Sequence, residues 1–209
     1  MALIEVTSIG LDQHRFEGIR FDMGILTNIT NDHLDYHGGF DNYVAAKKKL
    51  FKAVLANGKA ASYAVLPKDD NVGRKWLDAM SFDHALSFGV KSSANMAARG
   101  VIEATDKTSC EVAYLGQEFA LETSLLGTYN ILNILAALSA VALMGVDVEQ
   151  AIASVKEIDG VLGRMESVEH GGVQYFVDYA HTEDALEKTL SYLSHVKGDG
   201  RLLVLSGAM

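Results

Sequence analysis

The chain has 209 residues, 49% of them apolar, and a formal net charge of −9. That size allows one large domain, or one and a fraction, with a sizeable core. The acidic balance argues against a nucleic-acid or anionic-membrane surface while leaving room for a local basic site for a phosphorylated ligand. A single cysteine, Cys110, excludes an intrachain disulfide framework and suits a reducing cytoplasm. The longest apolar run, around Ile134 to Met144, is too short for a bilayer. The N-terminus lacks the basic and then apolar pattern of a signal peptide.

In chain order, "ALIEV" (2–6) and "MGILTNI" (23–29) read as strands. A helix follows from Asp41, a good N-cap, to near Gly58. Tyr43, Ala46, Leu50, Phe51 and Val54 share one face at spacings of three and four. Lys47 sits on that same stripe, whereas Lys48, Lys49 and Lys52 fall on other faces. "ASYAVL" (61–66) is a strand ending at Pro67, "DDNVGRKWLDAM" (69–80) a helix, and "ALSFGV" (85–90) a strand. Such alternation predicts a parallel sheet.

From Ala97 to Leu125 the segments are short and alternating, with a hairpin at Leu115-Gly116-Gln117, and predict a small antiparallel patch. Residues 128–145 form an apolar helix closed by Gly145, and 147–158 an amphipathic one. Gly160 and Gly163 mark a break. "VQYFVDYA", "TEDALEKTLSYLSHV" and "RLLVLSG" then read as strand, helix and strand. A lone βαβ unit cannot bury both faces of a parallel pair. The expected fold is therefore α/β: a mostly parallel sheet flanked by helices with a small antiparallel β patch (1–163), followed by the first βαβ unit of a second Rossmann-like domain (164–209).

Lys47 poses the chemical question. In an apolar stripe its stem usually lies along the surface while the ammonium reaches water. Alternatively, desolvation favours the neutral amine, which can take up carbon dioxide to form a carbamate, an oxygen ligand suited to Mg²⁺. His33, expected just beyond a strand end, could add a metal contact or be an ordinary loop histidine. Glu5 inside an apolar strand is costly as an unpaired carboxylate, and a metal contact would stabilise it. Asn130 and Asn133 stand three apart on a very apolar helix, so both amides need partners, whether caps, backbone or ligand. Asp178 ends a predicted parallel strand, where ligands of α/β sheets collect. A turn aspartate would read the same way, and Arg15 carries little by itself.

"NITNDHLDYHGGFDNYVAAKKKLF" (28–51) closely resembles the central-domain motif of the Mur ligases, which couple ATP hydrolysis to adding amino acids to a peptidoglycan precursor. "IEVTSIGLDQHRF" (4–16), "GTYNILNILAAL" (127–138), "GRMESV" and "VDYAHTEDALE" resemble further motifs in the family's order, and best those of the branch that adds the third residue. The resemblance implies that Lys47 is a carbamylated catalytic lysine. With Glu5 and His33 it would hold a Mg²⁺ bridging ATP and an acyl-phosphate intermediate. By the same resemblance Thr7, Ser8 and Arg15 contact the UDP-muramoyl-peptide. Asn130 and Asn133 lie on the adenine side of ATP, Arg164 near its phosphates, and Asp178 at the ribose. Tyr179 and His181 line the nucleotide site. An amino acid is the second substrate, and the full-length enzyme is expected to be a cytoplasmic monomer without nucleic-acid partners or membrane insertion.

Several residues depart from the family pattern. Ile9 stands where a histidine is common, Thr7 where serine is, and Glu183 where proline is. No Gly-x-x-x-x-Gly-Lys-Ser/Thr phosphate loop occurs, although holding ATP's β- and γ-phosphates requires one. The expectation is an internal fragment of a ligase, inactive by itself. Two rivals remain at this point. One is another amide ligase of the superfamily, of the folylpolyglutamate or cyanophycin synthetase type. The other is a non-catalytic nucleotide- or partner-binding domain.

Overall fold

The computed structural model describes residues 1–31 and 34–206. Six strands form one sheet in chain order: β1 (Met23–Ile25), β2 (Tyr63–Pro67), β3 (His84–Gly89), β4 (Met96–Glu103), β5 (Thr108–Tyr114) and β6 (Gln117–Thr123). Neighbours from β1 to β4 run parallel, and β4, β5 and β6 are antiparallel. The expected mostly parallel α/β sheet is present, with the antiparallel strands continuing it. β4 joins the two halves, pairing Met96 and Ala97 with Phe88 and Gly89 on one side and running antiparallel to β5 on the other.

Burial follows from the helices on each face. α5 (Thr128–Leu143) and α6 (Val148–Val155) cover one face through Ile131, Leu135, Leu138 and Ile152, packed on Val65, Phe88, Met96, Val112 and Leu121. α3 (Phe40–Leu55) and α4 (Asn71–Ala79) cover the opposite face of the parallel half through Tyr43, Phe51 and Trp76, against Ala64 and Leu66. β2 is therefore buried from Ala64 to Pro67, the continuous apolar run expected of a strand covered twice. In the antiparallel half the outer face is open and carries the pairs Arg99–Glu118 (2.9 Å) and Lys107–Glu122 (3.0 Å).

Local chemistry sets several boundaries. Asp70 caps α4 by accepting from the Val72 and Gly73 amides, as a short carboxylate at an N-cap does. The β5–β6 hairpin turns through Leu115 (φ 50°) and Gly116 (φ 78°), both in the left-handed conformation of a type I′ turn. Asp69 organises the β3–β4 connection by accepting from the Val90 and Lys91 amides at 2.6 and 3.0 Å. Ser87 and Asn95 clasp the same loop.

Four expectations change. Residues 2–6 form no strand, and Glu5 is exposed. Among the described residues no strand lies beside them, and an unpaired strand has no hydrogen-bond partners to hold it. α3 begins at Phe40 behind Gly39 (φ 143°), so Asp41 lies in the first turn and not at the cap. There its charge still suits the helix dipole. The strand at 173–177 pairs antiparallel with Glu166–His170, as β7 (Glu166–His170) and β8 (Val173–Val177), and not with the segment after the helix. Gly171 and Gly172, at φ 61° and 75°, supply its two-residue turn. Residues 201–206 carry no regular structure, and Gly207 lies outside the described residues.

The C-terminal helix α7 (Glu183–Val196) packs Tyr192 and Leu193 against Leu126 and Met165, with Tyr129, Phe176 and Leu202 alongside. This small apolar cluster joins the C-terminal segment to the sheet.

Candidate functional site

Lys47 is half-buried on α3, with Nζ 5.3 Å from the centre of the Tyr43 ring. Its neighbours Lys48 and Lys49 are also half-buried. Lys48 lies 6.0 Å from the Trp76 ring, and Lys49 pairs with Asp12 at 2.7 Å. Lys47 thus differs from them less by depth than by what it faces. Tyr43 is 3% exposed, so the ammonium stands over a ring fixed in the core, an arrangement favourable to a cation. His33, the upstream metal candidate, lies outside the described residues.

The substrate candidates sit on α1 (Ser8–Asp12) and just beyond it, beside α3. Thr7 caps α1, its hydroxyl accepting from the Gly10 amide at 3.0 Å. Ser8 is buried, with its hydroxyl 3.0 Å from His37 Nε2. Arg15 is exposed beyond the helix. His37, on the one-turn helix α2 (Leu34–His37), is the buried neighbour of these candidates that sequence reasoning passed over. Preceding Gly38-Gly39, it reads as a loop histidine. Only its place four residues after His33, in the same run, hinted otherwise. Its ring meets Tyr36 edge-on at 4.8 Å and Tyr43 at 5.7 Å.

A second group gathers where the C-terminal segment meets α5. Asn130 Nδ2 donates to the Leu126 carbonyl at 2.8 Å, and exposed Asn133 reaches Asn130 Oδ1 at 3.4 Å. Gly127, at the α5 N-cap, has no side chain to offer. Glu103 from β4 replaces it, accepting from the Thr128 amide and hydroxyl at 2.7 Å each. Asn130 therefore stands in a firmly anchored first turn with Asn133 one turn further on, and their own contacts are local.

Asp178 is half-buried and accepts from the Met165 amide at 2.9 Å and the Ala180 amide at 2.8 Å. Thr189 approaches it at 3.4 Å. The carboxylate thus ties the 163–165 turn to the loop that carries Tyr179 and His181. Those two rings meet at 5.0 Å, and the Arg164 guanidinium stands 5.5 Å from the Tyr179 ring. Arg164, Tyr179 and His181 are exposed, forming a cation and two aromatic faces open to a ligand. Tyr129 lies beneath. Burial and then the Asp178 charge push its hydroxyl's ionisation upward.

Among the described residues no three His, Cys, Asp or Glu side chains lie together to hold a metal ion. With Glu5 exposed on an irregular segment, the described residues do not by themselves assemble a Mg²⁺ centre.

Residues 1–141 match the family described as Mur ligase middle domain, and residues 163–209 that described as Mur ligase, glutamate ligase domain. The UDP-N-acetylmuramoyl-L-alanyl-D-glutamate--2,6-diaminopimelate ligase of Chlamydia muridarum is 36% identical over 208 residues, covering 99% of this chain and 42% of the relative. The protein of the same name from Halalkalibacterium halodurans gives the same values. A solved structure of a ligase of that name superposes with a TM-score of 0.75 at 28% identity, covering 93% of this chain and 40% of the other. The chain spans about two fifths of the length of the curated relatives it matches.

Proposed function

We infer, from the premise that this chain belongs to the Mur ligase family, that it supplies the middle domain and the start of the C-terminal domain of the ligase that adds the third residue to UDP-N-acetylmuramoyl-dipeptide. The observation that carries this is 36% identity across 99% of the chain to ligases of one named specificity. The same relatives make diaminopimelate the amino acid we propose. The division falls after residue 163. The full enzyme is proposed to work as a cytoplasmic monomer. Buried, unpaired Cys110 suits a reducing compartment, and no described helix is long and apolar enough to cross a membrane.

The chemistry would run in two steps. The substrate's terminal carboxylate attacks the γ-phosphorus of ATP, giving an acyl phosphate and ADP. The amine of the amino acid then attacks the acyl carbon, an amide forms, and phosphate leaves. In this reading Arg164 meets the phosphates, Asp178 the ribose, Tyr179 and His181 line the nucleotide, and Asn130 and Asn133 its adenine side. Thr7 and Arg15 remain the substrate contacts. Bound Mg²⁺ neutralises phosphate charge in such transfers. Glu5, His33 and the Lys47 carbamate are the residues proposed to hold it.

The test uses the ligase that contains this chain together with a phosphate loop and an N-terminal substrate domain. Wild type should form UDP-muramoyl-tripeptide from diaminopimelate and release ADP. Lys47→Arg should abolish ligation, because a guanidinium stays protonated and takes up no carbon dioxide. Near-normal ligation by folded Lys47→Arg enzyme would reduce Lys47 to a simple cation. The 209-residue chain alone has no phosphate-loop motif and should turn over no ATP. Turnover above buffer that Lys47→Ala removes would overturn that expectation.

A further inference from the structure

We propose that Ser8 and His37 are a buried positioning pair for Lys47, and that Ser8 is not a contact for the substrate. The proposal rests on the reading of Lys47 as the reactive position. Ser8 is 1% exposed and His37 9%. Its hydroxyl lies 3.0 Å from His37 Nε2. A buried hydroxyl engaged with a buried imidazole is not available to a ligand arriving from solvent, and removing either partner strands the other.

The contacts run in one line from α1 to Lys47. The His37 ring packs on the Tyr43 ring at 5.7 Å, and Tyr43 carries Lys47 Nζ over its face at 5.3 Å. Asn42 donates to the His37 carbonyl at 2.8 Å and fixes the backbone from which the imidazole projects. Other bonds also join α1 to the following helices, namely Asp12 to Lys49 and Tyr36 to Asp12 and Gln13. These are exposed and so contribute little. The buried pair therefore sets how α1 seats on α3. Through Tyr43 it sets where the Lys47 amine stands.

The experiment reads the Lys47 amine directly. The 209-residue chain, in buffer stripped of bicarbonate, is treated with limiting acetic anhydride. Acetylation of each lysine is followed by peptide mass spectrometry, with exposed Lys52 and Lys75 as internal references. Ser8→Ala and His37→Phe should each change the Lys47 rate relative to those references by about threefold or more, the scale of one lost hydrogen bond. His37→Gln, which keeps a polar group, should bring it back toward wild type. A global structural loss would move all lysines together, and that result overturns the proposal. So does an unchanged Lys47 ratio in folded Ser8→Ala. Should His37→Phe fail to fold, Ser8→Ala decides, since Ser8 lies outside the apolar clusters. A parallel ¹³C-bicarbonate spectrum tests the carbamate. Its absence in wild type would sink that reading of Lys47 without affecting the labelling ratio.

Discussion

The Tyr192 hydroxyl, on α7, donates to the carbonyl of Ala104, just past the end of β4. It bridges the C-terminal segment to the sheet beside the Leu126–Met165–Leu193 cluster. Tyr192→Phe keeps the ring and removes the bond. It should lower stability by about 1 kcal/mol, read as a shift in the urea midpoint, and speed proteolytic cleavage between residues 160 and 200 ahead of the rest. Unaltered cleavage there would show that the apolar cluster alone holds the join.

Alkaline pH should loosen both this join and the main core of the sheet. Burial, followed by the charges of Glu103 and Asp106, pushes the Tyr192 hydroxyl up to about 12, and burial pushes the Cys110 thiol up to about 11. Both groups are neutral when protonated, and the fold favours that form. Their contribution is complete below the ordinary values of 9.0 for the thiol and 10.0 for the phenol, and it is lost as pH rises through about 11 and about 12. The urea midpoint should fall over that window, and Cys110→Ala should remove its lower part. A midpoint that stays flat through the window would contradict this.

Gly24 sits where β1 passes under the Phe51 ring. A Cβ there would lie 2.9 Å from a ring carbon, and Phe51 is held by Trp76 at 5.2 Å and Phe82 at 6.1 Å. Gly24→Ala should therefore cost about 1–3 kcal/mol through overpacking. Phe51→Leu in the same chain should cost less than the two single changes added. Additive denaturation energies would mean that β1 moves aside freely.

Leu115 adopts φ 50° in a two-residue turn and is 81% exposed. Asparagine tolerates that conformation better than leucine. Leu115→Asn should raise stability by about 0.5–1 kcal/mol, seen as a higher melting temperature with an unchanged denaturant slope.

Asp69 is the hinge post of the β3–β4 loop. Burial pushes its carboxyl up, but the hydrogen bonds from the Val90 and Lys91 amides, with Ser92 close by, outweigh this and leave it below the usual range. A lowered folded pKa contributes stability above the ordinary value of 3.8, and that contribution fades as pH falls below it. Asp69→Ala should cost about 1–3 kcal/mol at neutral pH and flatten the acid limb of the stability curve. An acid limb identical to wild type would place the loop's support elsewhere.

The sequence marked the elements whose cause is local. Gly145 ends α5 at φ 82°, apolar periodicity located α3, and a continuous apolar run located α5. What it could not mark depends on a distant neighbour. "ALIEV" has the composition of a strand, but composition does not supply an adjacent strand. β7 is wholly exposed and so has no apolar alternation to find. Among the candidate residues, Arg164, Asp178, Tyr179 and His181 come together in space, as their shared motifs hinted. The partnership of Ser8 with His37, 29 residues apart, has no local signature at all. Lys47 was expected on the buried stripe of α3 and is half-buried, yet Lys48 and Lys49 share that depth. Helical spacing cannot foresee α1 and Trp76 covering them.

The change of strand direction at β4 also orders assembly. β5 and β6 pair across separations as short as Tyr114 to Gln117, whereas β1 must find β2 forty residues away, as in Met23 with Tyr63. Loop-closure entropy rises with that separation, and chains rich in near contacts form them sooner. The antiparallel half should thus protect its amides first in pulsed hydrogen exchange during refolding. Docking of β1, which brings α1 and α3 into place, should come late, and the Lys47 neighbourhood would be among the last parts of the molecule to take shape.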